Sequence, residues 1–308
     1  MAVFFDTTQA PRFRDPVITI GTFDGVHKGH TAILQQVAVH AQEVNGVSVL
    51  ITFEPHPRKL LYPDQKLGIL TPLAQKTALL RKAGIENIVV APFTKEFAQL
   101  SAEDYIKDFL IKQFQPNCIV IGYDHRFGND RRGNIDLLKQ FAHECHYKVY
   151  EIPAQLIDEA AVSSTKIRHL LEHGEVADAA HMLGRNYTIK GSVQQGAKLG
   201  RIIGFPTANI LPTDPDQLIP ANGVYAVLVT WKDIAYKGMM NIGIRPTISN
   251  DLQQHLEVNI FDLDENLYGE TLDIAFVAHL RQEQKFPSLD TLKAQLQKDK
   301  ETAIEVFK

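Results

Sequence analysis

Residues 17–34 read VITIGTFDGVHKGHTAIL, and this stretch decides the fold of the first half of the chain. Val17–Ile20 is a short, continuous β-branched run without strict alternation, as expected of a strand buried on both faces of a parallel sheet. A turn follows, and then Ile33, Leu34, Val37, Ala38, Ala41 and Val44 recur at helical spacing, with Gly46 as the expected stop. Strand, tight turn and helix in immediate succession are the opening of an α/β unit.

The same grammar repeats outward from this stretch. Val47–Phe53, Asn87–Phe93, Cys118–Gly122 and Lys148–Ile152 are further buried-strand candidates. Between them lie helical patterns over 71–84, opening with Thr71 as N-cap and Pro72 at the first helical position, and over 101–114. Such alternation predicts right-handed crossovers and a doubly wound parallel sheet, with ligands outside the carboxyl ends of the strands.

From about Tyr187 the pattern changes. TIKGSV, GVYAVLVTW, YKGMMNIG, LEVNIF and TLDIAFVAHL are strand-like and separated by Gly, Pro, Asn and Asp. This reads as an antiparallel barrel or sandwich. A final helix is capped by Ser288 and carries Leu289, Leu292 and Leu296 as its apolar stripe. The boundary falls near Gly184–Tyr187, which gives domains 1–184 and 185–308.

Bulk properties narrow the function classes. The 308 residues are 44% hydrophobic, enough for two real cores, and a formal charge of −4 gives no general attraction to nucleic acid or to an anionic membrane. The first residues lack a signal-peptide core, and no apolar run approaches a membrane span. Two cysteines exclude a disulfide framework, Cys118 reading as a buried small hydrophobe, and a cytoplasmic location fits. No heptad or self-complementary surface is legible, so an oligomer is possible and unspecified.

Two clusters carry chemistry in the first half. His27 and His30 flank Lys28-Gly29 where the helix begins, at the free N–H groups and positive end of the helix dipole. Gly29 allows a phosphate close to the backbone. Ser163-Ser164-Thr165-Lys166-Ile167-Arg168 opens a later helix, with hydroxyls suited to capping or phosphate contact and Arg168 one turn beyond Thr165. Together they look like a cradle for a triphosphate, and neither a Walker A loop nor a G-x-G-x-x-G turn is present.

In the second half, Gly191, Gly196, Gly200 and Gly204 suggest a mobile loop whose backbone can approach phosphates, leading into Gly204-Phe205-Pro206-Thr207-Ala208-Asn209. On a strand Thr207 and Asn209 share one face, and both offer hard oxygens suited to Mg²⁺. Leu256, Val258 and Ile260 alternate into a core, which turns Glu257 to the opposite face.

The first-half motifs resemble the HxGH nucleotidyltransferases, with their SSTxIR-type segment. FEPHP at 53–57 and GYDHRFG at 122–128 make the resemblance closest to the FMN adenylyltransferase module of bacterial bifunctional FAD synthetases. This implies that an FMN phosphate attacks the α-phosphorus of ATP and expels pyrophosphate, without a protein nucleophile. It implies ATP contacts from Gly21, Phe23, Asp24, His27, Gly29, His30, Ser164, Thr165 and Arg168, with the two histidines and Arg168 central to catalysis. His56, Pro57 and Asp124 would help place flavin. His125 stands where many relatives have Phe.

GFPTAN, RPT at 245–247, the block following Glu257 and LRQEQKF at 280–286 closely resemble the riboflavin kinase domain, over nearly all of 187–308. The resemblance implies a small six-stranded barrel in which Glu257 is general base for the riboflavin 5′-hydroxyl. Gly200, Thr207 and Asn209 would meet ATP, the last two through Mg²⁺, and Arg281 and Phe286 would meet flavin. Asn259 replaces a frequent His. An adenylyltransferase acting on nicotinamide mononucleotide or phosphopantetheine would have no use for this second domain. A flavin-binding module without activity would not need His27, His30, Asn209 and Glu257 together.

Overall fold

The computed structural model describes residues 2–129, 131–153, 162–196, 200, 203–246 and 252–308. The chain forms two compact units, Met1–Ser164 and Thr165–Lys308.

The first unit is built on a six-stranded, all-parallel sheet of β1 (Ala2–Phe4), β2 (Val17–Ile20), β3 (Ser48–Glu54), β4 (Asn87–Pro92), β5 (Cys118–Gly122) and β6 (Lys148–Ile152), in the order β1-β4-β3-β2-β5-β6. The five expected strands are present. β1 is an addition, a three-residue edge strand whose partly exposed side chains give no buried-strand signal. Along β2 and β3, Ile18, Ile20, Val49 and Ile51 enter one apolar layer while Val17 and Leu50 enter the other. Burial on both faces is therefore the physical reason these strands read as continuous apolar runs.

The helix after β2, Lys28–Glu43, buries Leu34, Val37 and Ala41. Its stop differs from the expected one: Asn45 takes the left-handed conformation, with φ of 51°. Gly46 is needed instead because a Cβ there would strike the Asp15 carbonyl. The helix Leu73–Lys82 also differs, since its N-cap is Pro72 without a side-chain capping bond. Thr71 is occupied elsewhere, as shown below. The segment 101–114 is helical as expected, capped by Ser101 and continuing through a π-helical stretch at Tyr105–Ile111.

The second unit holds the helix Ser164–Glu172 from Thr165 onward and the helix Val176–Leu183, the latter packing on strands of a barrel. That barrel closes six antiparallel strands, β7 (Tyr187–Gln194), β8 (Ala208–Pro212), β9 (Gly223–Trp231), β10 (Ile234–Pro246), β11 (Leu252–Ile260) and β12 (Thr271–Arg281), in the order β10-β11-β8-β7-β12-β9. Tyr225, Val227, Met240, Val258, Ile274 and Phe276 fill its interior. The closing helix, Leu289–Val306, starts from Ser288 in a capping box with Thr291. The compact division thus places the two helices before residue 184 with the barrel, whereas the sequence pattern places the change of grammar after them.

Candidate active sites

In the first unit β2 pairs with β3 on one side and with β5 on the other, so the strand order reverses at β2. This is the switch point at which open α/β sheets bind ligands. Three of the expected segments leave the sheet at its carboxyl edge: Gly21–Gly29 after β2, His56-Pro57 after β3 and Asp124 after β5.

The turn after β2 is tightly built. Phe23 and Val26 both have positive φ, 47° and 40°, and Gly25 lies at 90°. Left-handed geometry at two non-glycine residues is costly and has to be held by its surroundings. The Asp24 carboxylate accepts from the Leu70 and Thr71 backbone N–H groups at 3.1 and 2.9 Å, and from the Thr71 hydroxyl at 3.3 Å. Thr71 Oγ1 in turn accepts from Gly25 N–H at 2.8 Å. The Thr22 carbonyl accepts from the Thr52 hydroxyl at 3.1 Å and from Lys76 Nζ at 3.2 Å. Asp24, predicted as an ATP contact, has its carboxylate engaged in bracing the turn.

This turn delivers His27 as the N-cap of the following helix, its Nδ1 accepting from His30 N–H at 3.3 Å. Nδ1 then carries no proton, and Nε2 is the donor of a neutral His27 ring. The His27 and His30 rings stack with centroids 3.6 Å apart, and Phe23 lies 5.0 Å from His30. Gly29 is buried in the same first turn. Ser164 Oγ donates to the Asp24 carbonyl at 2.8 Å, which ties Ser164 to the turn. Thr165, exposed, and Arg168, buried, follow on the helix begun by Ser164.

His56 caps a short helix opened by Pro57, its Nδ1 accepting from Arg58 N–H at 3.2 Å. Asp124 is exposed just beyond β5. Next to it, burial pushes the His125 imidazole down to about 4 against the opposing pull of Asp124. At neutral pH His125 is thus an uncharged flat ring, 5.8 Å from Phe127.

In the barrel, Asn209 on β8 stands opposite Glu257 on β11. Thr207, one residue before β8, has its Oγ1 3.5 Å from Glu257 Oε2. Hydroxyl, amide and carboxylate therefore converge on one half-open patch. Asn259, the departure two residues on, is buried, and its Nδ2 donates to the Pro206 carbonyl at 2.6 Å. It fixes the chain immediately before Thr207. Three of the predicted glycines are explained by close approach: a Cβ at Gly191 would strike the Ile210 side chain, one at Gly196 the Asn209 amide, and one at Gly200 the Phe205 carbonyl. Residues 197–199, 201–202 and Thr247 of the expected loop segments lie outside the described residues.

Beside this patch lies a cavity of about 630 Å³, lined by Phe205, Pro206, Phe261, Asp262 and Lys300 among others. Lys300 Nζ sits 5.1 Å over the Phe261 ring. Arg281 is engaged in a forked pair with the buried Asp299, Nε to Oδ1 at 2.9 Å and Nη2 to Oδ2 at 2.7 Å. Its guanidinium carbon also lies 5.6 Å from the centre of the Phe286 ring.

The sequence does not single out Thr52, Lys76, Asp299 or the cavity wall, and it offers Thr71 only as a helix cap. For Lys76 a signal existed, because it falls at helical spacing between Leu73 and the buried Leu80, where an apolar residue is expected.

Two family models match the two halves of the chain. A family model described as FAD synthetase matches residues 9–166, and one described as riboflavin kinase matches residues 183–307. The bifunctional riboflavin kinase/FMN adenylyltransferase of Haemophilus influenzae is 39% identical over 94% of this chain and 94% of its own. That of Escherichia coli K12 is 37% identical over 97% and 95%. A solved structure titled as a macrolide-efflux protein from Streptococcus pneumoniae is 31% identical, covers 98% of each chain and superposes with a TM-score of 0.89. Its title names an activity that neither the family models nor the curated relatives share, and what it shows for this chain is the fold. Among the described residues, no helix is long and apolar enough to cross a membrane. The chain belongs to the family of bifunctional riboflavin kinase/FMN adenylyltransferases.

Proposed function

We propose that the residues around Glu257 carry the kinase step, and those around His27 the adenylyl transfer, of a chain that converts riboflavin to FMN and FMN to FAD. The observation that carries the reading is the pairing of two unlike sites in one chain. One is a capped helix N-terminus at a sheet switch point, and the other is an oxygen-rich patch beside a cavity on a barrel.

In the kinase step Glu257 takes the proton of the riboflavin 5′-hydroxyl as that oxygen attacks the γ-phosphorus of ATP, and the bond to the ADP oxygen breaks. Thr207 and Asn209 would hold Mg²⁺. The donor set fits, being hard oxygens from a hydroxyl and an amide. Among the described residues no group of three or more His, Cys, Asp or Glu gathers as a self-sufficient metal cage. That suits an ion that keeps waters and substrate phosphates as ligands. When bound, it would neutralise charge on the ATP phosphates. The cavity walled by Phe261 and Lys300 is the place for the nucleoside part of ATP. Phe286, steadied by Arg281, is the flavin contact.

In the adenylyl step an FMN phosphate oxygen attacks the α-phosphorus of ATP, and the bond to pyrophosphate breaks. No protein nucleophile is needed, so the residues act by position and charge. The helix N-terminus with His27, Gly29 and His30 receives phosphate oxygens. Gly21 and Phe23 shape the turn beneath, and Asp24 acts by holding it. Ser164, Thr165 and Arg168 take the triphosphate end by the motif they share with the family. His56, Pro57 and Asp124 border the flavin.

The test is a timed incubation of the purified chain with riboflavin, ATP and Mg²⁺, with flavins separated by chromatography. FMN rising first and FAD growing at its expense is the expected result. FAD made from supplied FMN without any conversion of riboflavin would sink the kinase assignment, and the converse would sink the other.

A further inference from the structure

Beneath the turn that presents His27 and His30 lies a buried lysine. Lys76 is only 4% exposed. Its Nζ donates to the Thr22 carbonyl at 3.2 Å, a carbonyl already served by the Thr52 hydroxyl at 3.1 Å. A hydrogen bond alone does not explain a cation here, because burying an ammonium is expensive and a neutral donor is already present. Charge balance does explain it. Asp24, on the turn, and Glu54, at the end of β3, are the charged groups acting on Lys76. Both carboxylates belong to the sheet edge where a polyphosphate would have to settle. A cation beside them offsets the charge that they would present to that anion.

We propose that Lys76 is a positioning residue of the adenylyl-transfer site: its ammonium holds the Thr22 carbonyl and offsets the carboxylates of Asp24 and Glu54 beneath the turn that carries His27 and His30, so that the ATP polyphosphate can bind there. The inference rests on the reading of His27 and His30 as the phosphate-binding pair. Lys76 touches no substrate. It acts through the Thr22–Val26 turn, whose two left-handed residues need such support.

Burial lowers the affinity of the Lys76 amine for its proton, with Asp24 and then Glu54 opposing that fall. The charged form is the working form. The contribution of Lys76 is therefore intact through neutral pH, and it is lost as pH rises through a value below the ordinary lysine range.

The experiment uses the full chain and its Lys76→Gln and Lys76→Arg variants. FAD formation from FMN and ATP is measured across pH, with riboflavin phosphorylation as the internal control of folding. Lys76→Gln keeps a donor and lacks the charge. It should lower kcat/KM for ATP in FAD formation by roughly ten- to a hundredfold, mostly through KM, and leave the kinase unchanged. Lys76→Arg should recover most of the loss and move the alkaline limb of the pH profile upward. An unchanged KM for ATP in Lys76→Gln, or an alkaline limb that stays put in Lys76→Arg, overturns the proposal. If both variants lose the kinase as well, the wild-type profile decides. A limb below the ordinary lysine range supports the role, and activity persisting through that range removes it. His30→Ala runs alongside: FAD formation surviving that change would sink the phosphate-site reading itself, independently of Lys76.

Discussion

His27 and His30 stack ring on ring, 3.6 Å between centroids and 16° between planes, while the Nδ1 of the first accepts the backbone N–H of the second. The stack aligns two imidazoles at one helix N-terminus, and the cap fixes which nitrogen of His27 is left to donate. A cap is worth about 1 kcal/mol, so the two roles of His27 can be separated. His27→Asn should keep the cap and the thermal stability while FAD formation falls. His27→Ala should lose both. His30→Ala should abolish FAD formation and leave FMN formation nearly intact. Equal loss of both activities in the His30 variant would contradict separate sites.

Glu257 faces Asn209 across the β8–β11 ladder, with the Thr207 hydroxyl beside it. A carboxylate there can take the proton of an alcohol, a contribution of roughly 10²–10⁴-fold. Glu257→Gln preserves size and removes the base. Riboflavin phosphorylation should fall by about that factor, and FAD formation from supplied FMN should continue. A kinase rate within error of wild type would remove Glu257 from the role of base.

Particular residues explain what the sequence revealed and what it withheld. The strands of the first unit were legible because burial on both faces leaves a continuous apolar run, as in CIVIG of β5. β1 was not, because three half-exposed edge residues bear no period. His27 and His30 stood out through local spacing, since a helix start is a property of neighbours in sequence. Thr71 misled for the opposite reason. It has the chemistry of an N-cap, but Asp24 and Gly25 claim its hydroxyl from far along the chain. Asp299 and Lys76 likewise owe their meaning to partners that only the folded chain supplies.

Asn259 braces the chain just before the oxygen patch. Its buried amide donates to the Pro206 carbonyl at 2.6 Å and so fixes the approach to Thr207. Asn259→Leu would leave that carbonyl without this donor at a cost of about 1–3 kcal/mol. The barrel should unfold at lower denaturant concentration, and KM for ATP in the kinase reaction should rise. FAD formation from supplied FMN should hold. Unchanged stability together with unchanged KM would show that the bond does not position Thr207.

Removal of divalent cation tests the oxygen patch directly. Thr207, Asn209 and Glu257 offer too few charges to hold a cation tightly without substrate phosphates, so EDTA should stop FMN synthesis at once and added Mg²⁺ should restore it. Thr207→Ala with Asn209→Ala should raise the Mg²⁺ concentration needed for half-maximal kinase rate. Metal-independent turnover, or an unaltered Mg²⁺ requirement in the double variant, would remove these two residues from the metal site.

Asp299 is almost fully buried, and it holds the fork of Arg281 while also accepting from Gln295 at 2.8 Å. The pair joins the end of β12 to the closing helix, and the same guanidinium lies against Phe286. Removing Asp299 leaves the Arg281 charge without its counter-ion, and with the Arg281 side chain still 20% exposed the cost falls below the roughly 3–5 kcal/mol of a fully buried pair. Asp299→Asn should therefore lower the thermal midpoint of the barrel and raise KM for riboflavin, because Phe286 loses its support. Arg281→Met with Asp299→Leu removes both charges and should recover much of the stability, since a buried pair can be replaced by apolar side chains at little cost. If the riboflavin KM recovers with the stability, Arg281 acts by holding Phe286 in place. If stability returns and the KM stays high, the guanidinium itself contacts the flavin.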